Sequence, residues 1–291
     1  MKYGIYYAYW TKEWDTDYRP YIEKAAKLGF DILEVSCVGL MNSYKTDEEL
    51  LSLLKYAKEK GITLTGGYGP SKEHNIASAD SQVVENAMQF YQEVFRRMHL
   101  LEIKILCGGI YSYWPVDYTQ PIDKEADYKR SILAMKKIAK MAEQYGIVLC
   151  LEVLNRFEGY LLNDCEEALH YVREVNHPNV KVHLDTFHMS IEEDSLLDAI
   201  RKAGKELGHL HLGERNRKVP GRGNLPWVDI GKVLKEIQYE GAAVFEPFVQ
   251  RGGQVGLDIK VFRDLIPNLT EEKLDRDLES SLTFVKHAFD M

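Results

Sequence analysis

Cysteine, long apolar runs and excess basic charge are all scarce in this 291-residue sequence. The four cysteines, Cys37, Cys107, Cys150 and Cys165, are irregularly spaced and form no C-x-x-C pair. That spacing signals neither a zinc ribbon nor a disulfide framework, because both need closely paired or regularly placed thiols. Free cysteine is one of the most buried residue types, so we expect four buried, unpaired thiols.

Apolar segments are too short to cross a bilayer, since no stretch of about 18 apolar residues occurs. The first residues, 1–7, run directly into a strand-like segment. They lack the apolar region and the small-residue cleavage site of a signal peptide. We therefore expect a cytoplasmic protein without a membrane partner.

Basic charge is outweighed by acidic charge: 37 Lys and Arg residues against 45 Asp and Glu residues give a formal net charge of −8. Binding to nucleic acid of any sequence needs clustered Lys and Arg to replace counterions, so no nucleic-acid partner is expected. The 45% hydrophobic and 28% charged composition is typical of a globular protein. A small polar molecule is the more plausible partner.

One pattern occurs eight times along the chain: a short apolar run of strand-forming residues, a turn and an amphipathic helical stretch. The predicted strands lie near residues 3–8, 30–36, 62–67, 103–108, 147–153, 180–185, 208–211 and 242–246. The predicted helices lie near residues 21–28, 50–57, 83–98, 128–145, 166–175, 196–203, 228–237 and 278–289. Strands that alternate with helices indicate a parallel sheet.

The chain also lacks a linker rich in Pro, Gly or Ser, so the eight units fill residues 1–291 as one catalytic domain. Eight strand–helix units are the number that closes a barrel, which favours a single (β/α)8 TIM barrel of the α/β class over two domains. A doubly wound sheet is the alternative, but no G-x-G-x-x-G follows the first strand.

Four consecutive predicted strands carry an ionisable side chain near their carboxyl ends. Glu152, Asp185, His211 and Glu246 lie in the segments LCLEVL, VHLDT, HLHLG and VFEPF. Their separations of 33, 26 and 35 residues each match one strand–helix repeat. The four side chains are therefore expected side by side on the face where barrel active sites lie.

Three carboxylates and one imidazole would repel one another without a cation. Such an oxygen-rich set suits Mn²⁺, Mg²⁺ or Co²⁺ better than a zinc site built from thiolates. The structural alternative for each residue alone is a buried ion pair or a hydrogen-bonded polar group in the core. Four such residues on successive strands favour a metal site.

Polar loops follow three of these strands, at residues 155–158, 187–189 and 214–223. Their long side chains can hydrogen-bond the hydroxyl groups of a substrate, although solvated surface is the alternative, and Glu158 could instead pair with Arg156. Aromatic residues lie near the strand ends, and apolar faces beside fixed polar groups suit a sugar pocket or, alternatively, core packing. They are Tyr6, Tyr7, Trp10, Trp14, Tyr113, Trp114 and Phe248.

These segments resemble the ketose 3-epimerases, the D-tagatose, D-psicose (D-allulose) and L-ribulose 3-epimerase group of the xylose-isomerase-like barrels. The similarity covers nearly the whole chain. It includes GIYYAYW at 4–10, LGFDILE at 28–34, YWP at 113–115, EVLNRFE at 152–158, LDTFHM at 184–189, GE at 213–214, NR at 216–217 and FEPF at 245–248.

The resemblance implies metal-dependent C3 epimerisation of a free ketose, of the D-fructose/D-psicose or D-tagatose/D-sorbose type, by a homodimer or homotetramer. It implies that Glu152, Asp185, His211 and Glu246 bind Mn²⁺ or Co²⁺, with Mg²⁺ also suitable, and that Glu152 and Glu246 are the catalytic acid/base pair. The implied substrate contacts are Glu158, His188 and Arg217 near the carbonyl and Tyr6, Trp14, Trp114 and Phe248 around the pocket.

Three places depart from the family's pattern: Ser190 stands where Asn is usual, Gly109 where Ala is common, and residues 38–43 follow no familiar pattern. The preferred ketose is therefore open.

Two other enzyme activities are alternatives. One is an aldose–ketose isomerase, and the other is a phosphosugar 3-epimerase with Gly252 and Gly253 around the phosphate. A barrel endonuclease is disfavoured by the acidic charge, and a sugar-binding protein would not need two catalytic carboxylates.

Overall fold

Eight parallel strands close into a barrel in chain order in the computed structural model, which describes all 291 residues. Pairing of β1 with β8, from Lys2 opposite Ala242 to Ile5 opposite Phe245, completes the ring. The predicted (β/α)8 TIM barrel is thus confirmed. The strands are β1 (Lys2–Tyr6), β2 (Ile32–Ser36), β3 (Thr63–Gly67), β4 (Ile105–Gly108), β5 (Val148–Glu152), β6 (Val180–Asp185), β7 (Leu207–Leu212) and β8 (Ala242–Phe245).

Eleven helices accompany the strands, and none of them is both long and apolar enough to span a lipid bilayer. Eight match the predicted helices, whereas α2, α7 and α10 are short and follow strands β2, β6 and β8. The helices are α1 (Arg19–Leu28), α2 (Cys37–Ser43), α3 (Asp47–Glu59), α4 (Ser81–Leu100), α5 (Lys124–Gln144), α6 (Cys165–Val175), α7 (Thr186–Glu192), α8 (Leu196–Ala203), α9 (Trp227–Glu236), α10 (Gly253–Asp258) and α11 (Glu271–Asp290).

Local sequence signals explain where the outer helices begin and end. Helix α3 starts with a capping box, in which the Thr46 hydroxyl accepts from the Glu49 backbone N–H and the Glu49 carboxylate accepts from the Thr46 N–H. Helix α1 stops at Gly29, whose φ of 83° lies in the left-handed region that glycine adopts without a steric penalty. These signals fix the helix lengths between successive strands.

The first strand is shorter than predicted, because it ends at Tyr6 rather than near Ala8. Residues Tyr7–Tyr9 form a 3₁₀ turn, and the buried Tyr7 hydroxyl donates to the Trp14 carbonyl at 2.7 Å. This turn brings the segment after β1 over the mouth of the barrel.

The barrel interior contains polar groups as well as apolar ones. All four cysteines are buried and free, as expected. The imidazoles of His183 and His209 are fully buried inside the barrel. They are packed edge to face, with ring centroids 4.8 Å apart. The layer above them, at the carboxyl ends of the strands, carries the charged residues.

Candidate active site

A cavity opens at the carboxyl ends of the strands. All seven predicted substrate contacts and three of the four predicted metal ligands line it. The fourth, Asp185, is fully buried next to them. The lining residues are Tyr6, Trp14, Glu34, Gly67, Tyr68, Gly69, Cys107, Gly108, Gly109, Trp114, Glu152, Leu154, Glu158, His188, His211, Arg217, Glu246, Phe248 and Ile259.

The four predicted metal ligands converge on one point. Glu152, Asp185, His211 and Glu246 each offer one ligand atom, and these atoms lie within 4.8 Å of one another. Strand register explains part of this, because Asp185 on β6 is paired with His211 on β7. Nδ1 of His211 lies 3.5 Å from Oε1 of Glu152 and 3.4 Å from Oε1 of Glu246. The structure therefore brings these four residues together.

The negative charge of this cluster is poorly compensated. Burial, reinforced by Glu246, raises the pKa of Asp185 to about 8. Burial also raises the pKa of Glu152 to about 7, although His211 opposes the shift. Oδ2 of Asp185 and Nδ1 of His211 are buried without a hydrogen-bond partner, which is costly for polar atoms. Three carboxylates and one imidazole nitrogen fit a divalent cation that prefers oxygen ligands.

The two carboxylate oxygens of Asp185 have different roles: one caps a helix and the other faces the candidate metal site. Oδ1 accepts a hydrogen bond from the Phe187 backbone N–H at 2.7 Å and so caps helix α7. This bond fixes the carboxylate plane, because the cap orients one oxygen. Oδ2 is thereby left facing His211, Glu152 and Glu246. The unpredicted helix α7 thus helps to orient a candidate ligand.

Arg217 is buried beside the cluster and links it to Glu158. Its guanidinium donates to Oε1 of Glu158 at 2.7 Å and lies 3.5 Å from Oε2 of Glu246. Burial opposes ionisation of Glu158, but Arg217 holds its pKa at about 2. The alternative pairing of Glu158 with Arg156 is wrong, because Arg156 binds Glu192 at 2.6 Å.

His188 is held in one orientation by Asn155. The backbone N–H and the side-chain amide of Asn155 donate to Nδ1 of His188 at 3.2 and 2.7 Å. Burial lowers the pKa of His188 to about 4, so the ring is neutral and its proton resides on Nε2. Nε2 lies 3.6 Å from Oδ2 of Asp185 and 3.8 Å from Oε1 of Glu152. His188 therefore presents an N–H donor to the cavity.

The loop that carries Arg217 is built around the fully buried Glu214. Its carboxylate accepts from the backbone N–H groups of Gly221 and Asn224 at 2.9 and 3.0 Å. It also accepts from Nε1 of Trp227 at 2.7 Å. A Cβ at Gly223 would overlap this carboxylate, so the close approach requires glycine. Sequence reasoning gave Glu214 no role of its own.

Aromatic rings form the apolar wall of the cavity. The Trp14 ring packs edge to face against Trp114 at 6.0 Å and against Phe248 at 6.4 Å between centroids. Tyr6 meets Phe248 in the same way at 6.1 Å. Nε1 of Trp14 donates to Asp258 of helix α10 at 2.8 Å. Ring contacts on one side and this hydrogen bond on the other therefore hold Trp14 in the wall.

The other aromatic residues near the strand ends have packing roles instead. Trp10 stacks on Tyr21, with ring centroids 6.0 Å apart, and its Nε1 donates to Asp275. Neither Trp10, Tyr7 nor Tyr113 lines the cavity. For these three residues core and rim packing is the correct interpretation.

Glu34, in the middle of β2, is a site residue that sequence reasoning missed. It is fully buried, and Nε2 of His211 donates to its Oε1 at 2.7 Å. Burial would raise the pKa of Glu34, but His211 and His209 hold it well below its usual value. A signal was present, because Glu34 interrupts the apolar run Ile32–Ser36 as the four predicted ligands interrupt theirs.

Comparisons with known proteins agree with this architecture. Residues 22–265 match the family model of the xylose isomerase-like TIM barrel. The chain is 55% identical to the D-psicose 3-epimerase of Enterocloster bolteae over 99% of this chain and 96% of that protein. It is 50% identical to the D-psicose 3-epimerase of Agrobacterium fabrum over 98% of both chains.

A solved structure gives the same result at the level of the fold. It is that of a D-psicose 3-epimerase from Clostridium cellulolyticum H10 with D-tagatose. The two chains superpose with a TM-score of 0.97 and 52% sequence identity, over 99% of each chain.

Proposed function

Because the chain belongs to the ketose 3-epimerase family of xylose isomerase-like TIM barrels, we propose that it inverts C3 of free ketoses such as D-psicose and D-tagatose. The observation that carries the proposal is the pair of carboxylates, Glu152 and Glu246, that line the cavity together with His211, with the buried carboxylate of Asp185 next to them. A protein that only bound sugar would not need this costly arrangement of buried acids.

Inversion at C3 requires one proton to leave and another to arrive on the opposite face of the carbon. Two bases serve this better than one, because each acts over a short hydrogen-bond distance. Glu152 at the end of β5 and Glu246 after β8 supply the two carboxylates. One removes the C3 proton to give an enediolate, and the other, protonated, returns a proton from the other face.

The candidate ligands for a divalent cation are Glu152, Asp185, His211 and Glu246. When bound there, Mn²⁺, Co²⁺ or Mg²⁺ would supply Lewis-acid stabilisation of negative charge at the substrate oxygens. Arg217 and the Nε2–H of His188 add hydrogen-bond donors to the same charge. Glu158 keeps Arg217 in place through its 2.7 Å contact.

The aromatic wall accounts for the sugar specificity that we propose. Four aromatic side chains offer apolar faces to the C–H groups of a ketose while the polar residues bind its hydroxyls; they are Tyr6, Trp14, Trp114 and Phe248.

Three further properties stay predictions: a single catalytic domain, a cytoplasmic location and a homodimeric or homotetrameric assembly. Light scattering of the purified protein tests the last of these.

Product analysis in D₂O tests the proposed reaction. With D-psicose or D-tagatose and Mn²⁺, deuterium should appear at C3 of the product ketose while C1 stays unlabelled, because each carboxylate exchanges its proton with water. An aldose–ketose isomerase would form an aldose and leave the C3 hydrogen in place. Binding without any product would indicate a sugar-binding protein.

A phosphosugar substrate finds no support in the loop after β8. Gly253 lies against the Lys12 backbone, and the Val255 N–H donates to the Lys12 carbonyl at 3.0 Å. Neither Gly252 nor Gly253 lines the cavity. Parallel assays with free and phosphorylated ketoses should therefore show turnover of the free sugars.

A further inference from the structure

Glu34 is a buried carboxylate with no Lys or Arg partner. It is fully buried, and the nitrogen atoms within ion-pair distance of it belong to His209 and His211. The Thr65 hydroxyl donates to its Oε2 at 2.9 Å. A buried carboxylate is expensive unless its oxygens are hydrogen-bonded, so this position needs an explanation.

The hydrogen bond from His211 gives Glu34 a directional effect. Imidazole has two nitrogens, and the one that donates to an acceptor leaves the lone pair on the other in the neutral ring. Nε2 of His211 donates to Glu34 at 2.7 Å. Nδ1, at the other edge of the ring, is buried without a hydrogen-bond partner and lies 3.4 Å from Glu246.

The surrounding imidazoles hold the His211 ring in this orientation by contact rather than by hydrogen bonds. The His183 ring stands edge to face at 4.1 Å and His209 at 5.2 Å between centroids. Nε2 of His209 is 2.9 Å from Glu34 but lacks the alignment of a hydrogen bond. Glu34 therefore makes the aligned hydrogen bond to His211, and Thr65 holds the other oxygen of Glu34.

We propose that Glu34 is a positioning residue that keeps the Nδ1 lone pair of His211 directed at the divalent-cation site. The inference rests on the proposed metal-dependent function. It adds a residue from β2 to a site whose candidate ligands come from β5 to β8. Carboxylates that orient metal-binding imidazoles affect metal affinity strongly, commonly by about 10- to 100-fold.

Manganese affinity of variants gives a readout that does not depend on turnover. The Glu34→Gln variant keeps the shape but loses the charge, and its amide N–H₂ turned to His211 would favour the opposite tautomer. Titration of the metal-depleted protein with Mn²⁺ alone, followed by the electron paramagnetic resonance signal of free Mn²⁺, should show affinity about 10- to 100-fold weaker than wild type. Circular dichroism establishes that the variant is folded.

Thr65→Val is the matched control, because it removes one hydrogen bond from Glu34 but leaves the bond to His211. Its Mn²⁺ affinity should fall by no more than about threefold, because the hydrogen bond that it removes acts on His211 only through Glu34. Equal affinity of Glu34→Gln and wild type for Mn²⁺ would overturn the role of Glu34 but not the metal-dependent function. Wild-type protein that binds no Mn²⁺ would overturn both.

A measurement on the wild-type chain tests the same inference without any substitution. Long-range ¹H–¹⁵N spectra of Mg²⁺-loaded protein with ¹⁵N-labelled histidine report which ring nitrogen carries the proton. We expect His211 to carry it on Nε2. A proton on Nδ1, with Nε2 unprotonated, would overturn the proposal even if the Glu34→Gln variant failed to fold.

Discussion

The mouth of the barrel has two halves of opposite character. The polar half, from β5 to β8, contains Glu152, Asp185, His211 and Glu246. The aromatic half, from β1 to β4, contains Tyr6, Trp14, Trp114 and the glycines at the ends of β3 and β4. Two residues cross this division: Phe248 of the aromatic wall follows β8, and the buried carboxylate of Glu34 lies on β2. The polar half otherwise concentrates charged groups, and the aromatic half offers flat apolar faces.

Under the proposed function, the two halves would have different roles toward a bound ketose. Proton transfer and charge stabilisation need groups at fixed short distances, and these lie in the polar half. Recognition of the sugar's C–H surface and exclusion of water need packed rings, and these lie in the aromatic half. Substitutions in the two halves should therefore affect different kinetic constants.

Metal removal should abolish turnover, which depends on the polar half, and leave the fold and the aromatic half unchanged. Activity should fall to background after chelation and return with Mn²⁺ or Co²⁺, because the carboxylates repel one another without a cation. Turnover, elemental analysis and circular dichroism check this together. Full activity in demonstrably metal-free protein would contradict the proposed site.

Neutralising either carboxylate of the proposed acid/base pair should have the next largest effect. Glu152→Gln and Glu246→Gln should each lower kcat by about 10³-fold, within the usual range for loss of a positioned acid or base. Ketose binding, measured by calorimetry, should weaken far less. Metal content must be measured alongside, since both residues are candidate ligands.

Glu192→Gln is the matched control for these variants, because Glu192 pairs with Arg156 away from the cavity. Its kcat should stay near the wild-type value. A Glu152 or Glu246 variant that retained metal and near-normal kcat would show that the residue is not an acid or base in the reaction.

Truncating the Arg217–Glu158 pair should lower kcat/KM by about 10²-fold, because positioning contacts and donors to developing charge have effects of this size. The Arg217→Ala, Glu158→Ala and double variants should lose similar amounts, since the two side chains act as one unit. Arg215→Ala, an exposed position in the same loop, is the control. Wild-type kinetics in the Arg217 variant would show that Arg217 has no role in substrate positioning or charge stabilisation.

The smallest effect is expected in the aromatic half. Trp114→Leu should raise KM by about tenfold, because loss of an aromatic contact costs on the order of 1 kcal/mol or slightly more. The kcat value and Mn²⁺ affinity should change by less than about twofold, as is typical when uniform binding is lost. Trp10→Phe, outside the cavity, should leave KM unchanged. A large fall in kcat for Trp114→Leu would contradict the prediction that the aromatic half affects KM and not kcat.

Much of the fold was predictable because each strand–helix unit carries its own periodicity and its own stop signals. The short helices were not predictable, since α2, α7 and α10 span two turns or fewer, and α2 and α7 begin at the residue after a strand ends. Asp185 illustrates the problem: it ends β6 and also caps α7. Because one residue ends the strand and starts the helix, the sequence contains no turn residues that would mark the boundary between β6 and α7.

The candidate site was predictable where residues on consecutive strands were each separated by the length of one strand–helix repeat. Glu34 carried the same signal, a charge within an apolar run, but β2 does not adjoin β5 to β8 in the barrel. Its link to His211 spans 177 positions and depends on closure of the ring. Asn155 and Glu214 act through hydrogen bonds that combine backbone N–H groups with side chains distant in sequence, such as His188 and Trp227, and no local pattern reveals these contacts.

The hydrogen bonds of Glu214 have a consequence for how freely the surrounding sequence can be altered. The loop holds its shape from inside, while Arg215, Asn216 and Arg222 are exposed on its outer side. Its outer face therefore offers exposed attachment points, for example for a dye or a solid support, while Arg217 in the same loop is buried. Conjugation at position 215 can be used to immobilise the enzyme while the buried half of the same loop stays unmodified.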